Sequence, residues 1–210
     1  SYALNDNSSG AGNVAIGREA LANNQTASDN VAVGKLAMYT NTTGSQNTAV
    51  GTQALRLNTT AGENVAVGYY ALKANTTGIQ NTSIGKDSLV TNTTGSYNTA
   101  SGREAMKYNT TGERNSAFGR TSLTSNTTGS YNVAVGMQAL NAATTAIKNT
   151  AVGYDSMVST TTGEYNTALG ADALKANVTG HASVAIGALA LTAQASGGQH
   201  NVAVGYESGK

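Results

Sequence analysis

Cysteine, proline and tryptophan are absent from this chain, and phenylalanine occurs once. Without cysteine there can be no disulfide framework and no thiolate metal site. The missing thiols do not separate an oxidising compartment from a reducing one, because secreted proteins also do without them. Charge is sparse as well: Asp, Glu, Lys and Arg make up 11% of the residues and the formal net charge is +1. No basic excess points to nucleic acid, and no acidic run points to a solvating tail. No window holds a long apolar run, so a transmembrane helix is not expected. The opening Ser1-Tyr2-Ala3-Leu4-Asn5-Asp6 has no charged segment followed by an apolar stretch, so no signal peptide is read there. An excised or mature piece would read the same. Asn, Thr, Gly, Ala and Ser dominate, a composition that suits a disordered chain. Their order along the chain argues otherwise.

Glycine recurs at Gly17, Gly34, Gly51, Gly68, Gly85, Gly102, Gly119, Gly136, Gly153, Gly170 and Gly187, each step being 17 residues. Gly205 follows after 18, which places one inserted residue near Gly197, Gly198, Gln199 and His200. The unit reads Asn-[Val/Thr]-Ala-Val-Gly-x-x-Ala-Leu-x-x-Asn-Thr-Thr-Gly-x-x. The register holds from Ala3 to Lys210, so residues 1–210 are read as one continuous domain that starts and ends mid-repeat. A repeat array ordinarily needs atypical caps. Neither end shows one, so a segment of a longer fibre, or ends that stack on other chains, is expected.

Column by column, the unit specifies a β-solenoid. The residue before the strand glycine is Val33, Val50, Val67, Val135 or Val152 in typical units, with Ser101 and Phe118 as departures. Two residues earlier stands Val, Thr or Ser, and β-branched residues at i and i+2 share one face of a strand. Four residues after the glycine the side chain is always Leu or Met from Leu21 to Leu191, as at Leu55, Leu72, Leu123, Leu140 and Leu174. The valine and leucine columns are therefore assigned to the core. Gly34, Gly51, Gly68, Gly85, Gly102, Gly119 and Gly136, together with Asn58, Asn75 and Asn92 at the head of each Asn-Thr-Thr, are assigned to turns. A helix would carry a Gly and a Thr-Thr-Gly break in every unit, against propensity. Two short strands and two turns per unit are expected instead. A lone unit cannot bury its apolar face, so units must stack. At ~4.8 Å per coil, about twelve coils make a rod on the order of 55 Å long.

One coil offers only two large apolar side chains against the entropy of ordering a whole unit. Burial between chains would help to close that deficit. The Ala or Ser residues flanking the Leu/Met column and at the centre of each strand either allow neighbouring chains to approach or simply fit a thin interior; sequence alone leaves both readings open.

Asn13-Val14-Ala15-Ile16-Gly17, Asn64-Val65-Ala66-Val67-Gly68 and Ser183-Val184-Ala185-Ile186-Gly187 resemble the head repeats of YadA-like trimeric autotransporter adhesins. The longer string Asn-Thr-Ala-Val-Gly-x-x-Ala-Leu-x-x-Asn-Thr-Thr-Gly resembles repeats of phage-type tail fibres and related bacterial surface proteins. The likeness covers essentially the whole chain. It implies a left-handed parallel β-roll, three chains side by side, and display on a cell surface or a virion. Two departures stand out. Adhesin heads commonly use shorter repeats, and no coiled-coil stalk or membrane-anchor barrel is present.

Chemistry is thinly supported. His181 and His200 lie in turns, the acids stand singly, and no phosphate loop, calcium-binding glycine repeat or acid/base pair is read. No catalytic residue, metal or cofactor is expected. The surface columns say more. Arg18, Lys35, Lys86, Arg103 and Arg120 form a basic ridge beside Glu19, Asp87, Glu104, Asp155 and Asp172. Tyr97, Arg114, Tyr131, Lys148 and Tyr165 alternate ring and cation in a second column, a candidate cation–π ladder that either stiffens the rod or presents a binding stripe. Each Asn-Thr-Thr also matches a glycosylation sequon. The expected role is a structural or adhesive segment of an extracellular fibre, without catalysis. Its partner is itself, as a homotrimer and end to end, and a host-cell, matrix or glycan receptor is compatible with it. Neither nucleic acid nor membrane insertion is expected of this segment. The competing readings are an ice-binding solenoid that uses the Thr ranks from Thr42-Thr43 to Thr161-Thr162, and a polysaccharide-acting enzyme.

Overall fold

The computed structural model describes residues 2–194 and 199–210. It is an all-β parallel solenoid. Twelve three-residue strands run from β1 (Val14–Ile16) and β2 (Val31–Val33) through to β11 (Val184–Ile186) and β12 (Val202–Val204). They form one sheet in sequence order. Every pairing is parallel, and Val31 meets Thr48 as Ala32 meets Ala49 and Val33 meets Val50. The repeat length thus becomes the register. The step to the last strand takes one residue more, Val184 pairing with Val202. The two glycines that sequence places at the insertion, Gly197 and Gly198, lie outside the described residues, while Gln199 bridges to His181.

One strand forms per unit where two are expected. The segment around the Leu/Met column is bent rather than extended, with left-handed φ at Gln53 (57°) and Leu55 (51°). Its amides still reach the next rung, as in Leu55 N–H to Ala71 O at 3.0 Å. The bend turns each Leu or Met inward, so backbone hydrogen bonding survives without strand geometry. The strand glycines adopt a φ that L-residues avoid, +134° at Gly34. A Cβ on Gly34 would lie 2.6 Å from the carbonyl carbon and oxygen of Gly51, so the rungs could not stack with a side chain there.

The interior is narrower than the sequence suggests. Leu55, Leu72, Leu123, Leu140 and Leu174 are fully buried. So are the central strand residues Ala32, Ala49, Ala66 and Ser83. Ser83 Oγ donates to Ser88 O at 2.9 Å and lies 3.0 Å from Ser88 Oγ, so the two small-residue columns face each other across the interior. The thin-interior reading of those columns therefore holds. The assignment of Val33, Val50, Val67, Val135 and Val152 to the core is corrected. All five point outward, half-buried in β2, β4 (Val65–Val67) and β9 (Thr150–Val152), and 36% and 37% exposed at Val50 and Val135. Each Leu or Met spans the cross-section and leaves room at the strand for a methyl or hydroxymethyl group only. The i and i+2 side chains must then face outward.

Asparagine completes the core. One Asn column precedes the strands, from Asn30 to Asn166, and another heads the turns, from Asn24 to Asn126; both are buried. In the first, Asn98 is typical: its N–H and its Nδ2 both donate to Asn81 Oδ1, at 3.0 and 3.2 Å, and Nδ2 also donates to Gly112 O at 2.8 Å. In the second, Asn58 Nδ2 donates to Asn41 Oδ1 at 2.7 Å and to Ala61 O at 2.8 Å, and Asn75 and Asn92 repeat the pattern. Stacked amides satisfy one another away from bulk solvent.

Candidate functional site

Because the strand valines face outward, the sheet presents a double column of β-branched and apolar side chains along its whole length. Ile16 is 60% exposed, Ile84 and Phe118 44%, and Leu169 41%. The neighbouring column of the same strands carries Val14, Val65, Val133 and Val202 interspersed with Thr48, Thr82, Thr99, Ser116, Thr150 and Thr167. Sequence carried a signal for this face. The buried Leu/Met column varies only between two side chains of similar volume, whereas the valine column runs from Ser101 to Phe118. A close-packed interior does not accept that range of sizes.

Each side of the face has a charged or aromatic flank. After the strand glycine come Arg18, Lys35, Lys86, Arg103 and Arg120. Arg18 reaches Glu19 at 3.7 Å, Lys86 reaches Asp87 at 3.9 Å and Arg103 reaches Glu104 at 3.4 Å. These pairs are solvated and individually contribute about 0–1 kcal/mol. On the other side stand Asp29, Gln46, Glu63 and Gln80, continued by Tyr97, Arg114, Tyr131, Lys148 and Tyr165. The ring-and-cation column forms two segments, Tyr97–Arg114–Tyr131 and Lys148–Tyr165, with no cation–π contact joining Tyr131 to Lys148. The Arg114 guanidinium carbon sits 5.4 Å from the Tyr97 ring centre and 5.5 Å from that of Tyr131, and Nη1 donates to Tyr131 Oη at 3.0 Å. Lys148 Nζ sits 4.9 Å from the Tyr165 ring centre and donates to its hydroxyl at 3.1 Å. That hydrogen bond raises the Lys148 pKa above the ordinary lysine value. Arg114 takes ring faces of both Tyr97 and Tyr131, so the ladder ties rungs together more than it offers free rings to a ligand.

The turn side separates its two threonine ranks. The first Thr of each turn is half-buried and donates to the carbonyl one rung on, as Thr42 Oγ1 to Thr59 O at 3.0 Å and Thr110 Oγ1 to Thr127 O at 2.9 Å. The second, as at Thr43, Thr77, Thr111 and Thr162, is exposed. The sequon asparagines sit in the sealed ladder with Nδ2 engaged twice, so the folded rod does not present them for glycosylation. His181 Nδ1 accepts the Glu164 N–H at 3.2 Å. No group of three or more His, Asp or Glu gathers in a metal-binding arrangement among the described residues. No protein-family model, curated protein or solved structure matches the chain.

Proposed function

We propose that this chain is a structural and adhesive segment of an extracellular fibre, on a cell surface or a virion, assembled side by side as a left-handed trimeric rod. The observation that carries the reading is the column of Val, Ile, Leu and Phe side chains facing outward along the sheet beside a mixed column of Val, Thr and Ser. A face of this kind, running over twelve strands and interrupted at Thr99 and Ser101, marks an interaction surface. A second copy is the occupant it suits best. When copies run parallel and in register, the basic flank of one meets the other flank of its neighbour rung by rung. Lys35 then faces Asp29, Arg103 faces Tyr97, Met137 faces Tyr131 and Tyr154 faces Lys148. Arg114 against Arg120 is the one like-charged match. Antiparallel copies would set the basic column against itself. Receptor capture by such a rod would rest on many weak contacts repeated along its length.

The test is mass in solution. Light scattering on the purified chain is expected to give three times the monomer mass. Val67→Asp together with Val135→Asp is expected to release monomers with an unchanged circular dichroism spectrum, because neither side chain is in the core. A parent chain that is already monomeric defeats the reading.

The exposed second-threonine rank favours one other reading, an ice-binding face. Its partner rank is tied into the backbone, so a single file of hydroxyls remains. Thermal hysteresis of a monomeric chain would move the assignment to ice.

A further inference from the structure

The turn-asparagine ladder is unbroken from Asn24 to Asn126 and then meets Ala143 and Thr160 before Asn177. Asn126 donates its Nδ2 to Asn109 Oδ1 at 2.6 Å and to Gly129 O at 3.0 Å. These two acceptors fix the amide's orientation, because a flip would set Asn126 Oδ1 against both. Its Oδ1 therefore points toward the next rung, where it is buried and has no protein partner. In the rungs before it, that oxygen receives the Nδ2 of the following Asn, which also serves the carbonyl three residues further on, as Asn109 serves Asn92 Oδ1 and Gly112 O. Ala143 stops at Cβ. Two acceptors thereby lose the same donor: Asn126 Oδ1 and Ala146 O, the latter keeping only Asn132 Nδ2 at 2.8 Å. Thr160 cannot replace it, since its hydroxyl donates to Asn177 O at 3.0 Å. Ala143, Ala146 and Thr160 are all fully buried.

We propose that a single water molecule takes the place of the carboxamide at Ala143, donating one hydrogen to Asn126 Oδ1 and the other to Ala146 O. Water has the required chemistry, two donors on a small body, and a missing carboxamide leaves room for a molecule of that size. A bridging water is nearly as good as the direct bond it replaces. A cation would face carbonyl and hydroxyl oxygens only, with no carboxylate to offset its desolvation. The water thus restores the ladder at the one interior rung where the sequence interrupts it with a side chain that cannot hydrogen-bond.

A crystal structure of the unaltered chain, at a resolution that shows ordered solvent, is expected to carry one peak ~2.7–3.2 Å from both Asn126 Oδ1 and Ala146 O. An empty site overturns the proposal, as does a peak at ion-like distances of ~2.4 Å or an Asn126 amide turned to another partner. In the double variant A143N/T160N the peak is expected to vanish, with the new Nδ2 of residue 143 in its place and the ladder continuous to Asn177. Its thermal midpoint should equal that of the parent or rise by about 2–4 °C. A peak that persists, or a folded double variant with a lower midpoint, overturns the claim that amide and water serve the same two acceptors.

Discussion

The two asparagine columns look alike in sequence and are equally buried, yet one tolerates an alanine and the other does not use one. The strand column is Asn from Asn13 to Asn166 and changes only to Ser183 before Asn201. The turn column gives way to Ala143 and Thr160. Their hydrogen bonds explain the difference. A strand asparagine accepts a backbone amide as well as a side chain, as Asn98 Oδ1 accepts both Asn115 N–H at 3.0 Å and Asn115 Nδ2 at 3.2 Å. A turn asparagine of the unbroken run, such as Asn58 or Asn92, accepts only the next side chain, whereas Asn177, beyond the interruption, accepts the Gly180 N–H at 2.9 Å. Losing the first strands a buried main-chain N–H; losing the second leaves an amide oxygen that water can serve. Ser183 supports this view, because its N–H still donates to Asn166 Oδ1 at 3.0 Å and its own Oγ accepts Asn201 N–H at 3.4 Å. The substitution that occurs in the strand column keeps an acceptor.

Substitutions in one central rung turn that contrast into numbers. Asn98→Ala should cost the most, about 3–4 kcal/mol in chemical denaturation, since it orphans the Asn115 amide and removes three further bonds. A loss below about 1 kcal/mol would break the comparison. Asn98→Ser should recover more than half of that stability, because the hydroxyl can still accept the Asn115 N–H, as Ser183 does. Asn92→Ala, in the turn column of the same rung, should cost about 1–2 kcal/mol by leaving Asn75 Oδ1 without its donor. Equal losses at Asn92 and Asn98 would show that the acceptor for the main chain is not what distinguishes the columns. Smallest of all, Arg114→Ala in the exposed ladder should shift stability by no more than about 1 kcal/mol, with the loss diminished in high salt. A larger effect would mean that the Tyr97–Arg114–Tyr131 sandwich is buried in an assembly.

Much of this architecture was legible in residues 1–210. Glycines at a constant step, with Leu or Met four places on, announce a stacked unit, and the strand register repeats that step from Val14↔Val31 onward. Tyr97, Arg114, Tyr131, Lys148 and Tyr165 fall into line as the period requires. The direction of the valines was not legible. Alternation tells which side chains share a face, and hydropathy then favours placing Val50 inside and Ala49 nowhere in particular. What reverses this is the reach of Leu55 from the opposite wall, a fact about cross-section rather than about either residue. The burial of the turn asparagines was not legible for a related reason. Asn58 in isolation reads as a turn former in water, and it becomes core only when Asn41 and Asn75 sit directly below and above it.

From the chain alone came the period, the glycine at which the backbone must double back, the Leu/Met column that fills the interior, and the exclusion of disulfide and thiolate chemistry. These rest on local sterics and composition, which each unit carries by itself. Tertiary structure alone decided that small residues line the interior while valines face solvent, that two polar columns are buried, and that Ala143 leaves Asn126 Oδ1 without a protein partner. Those outcomes depend on distances between rungs and across the coil, and an amide becomes a core group only when its neighbour one repeat away arrives at hydrogen-bonding distance.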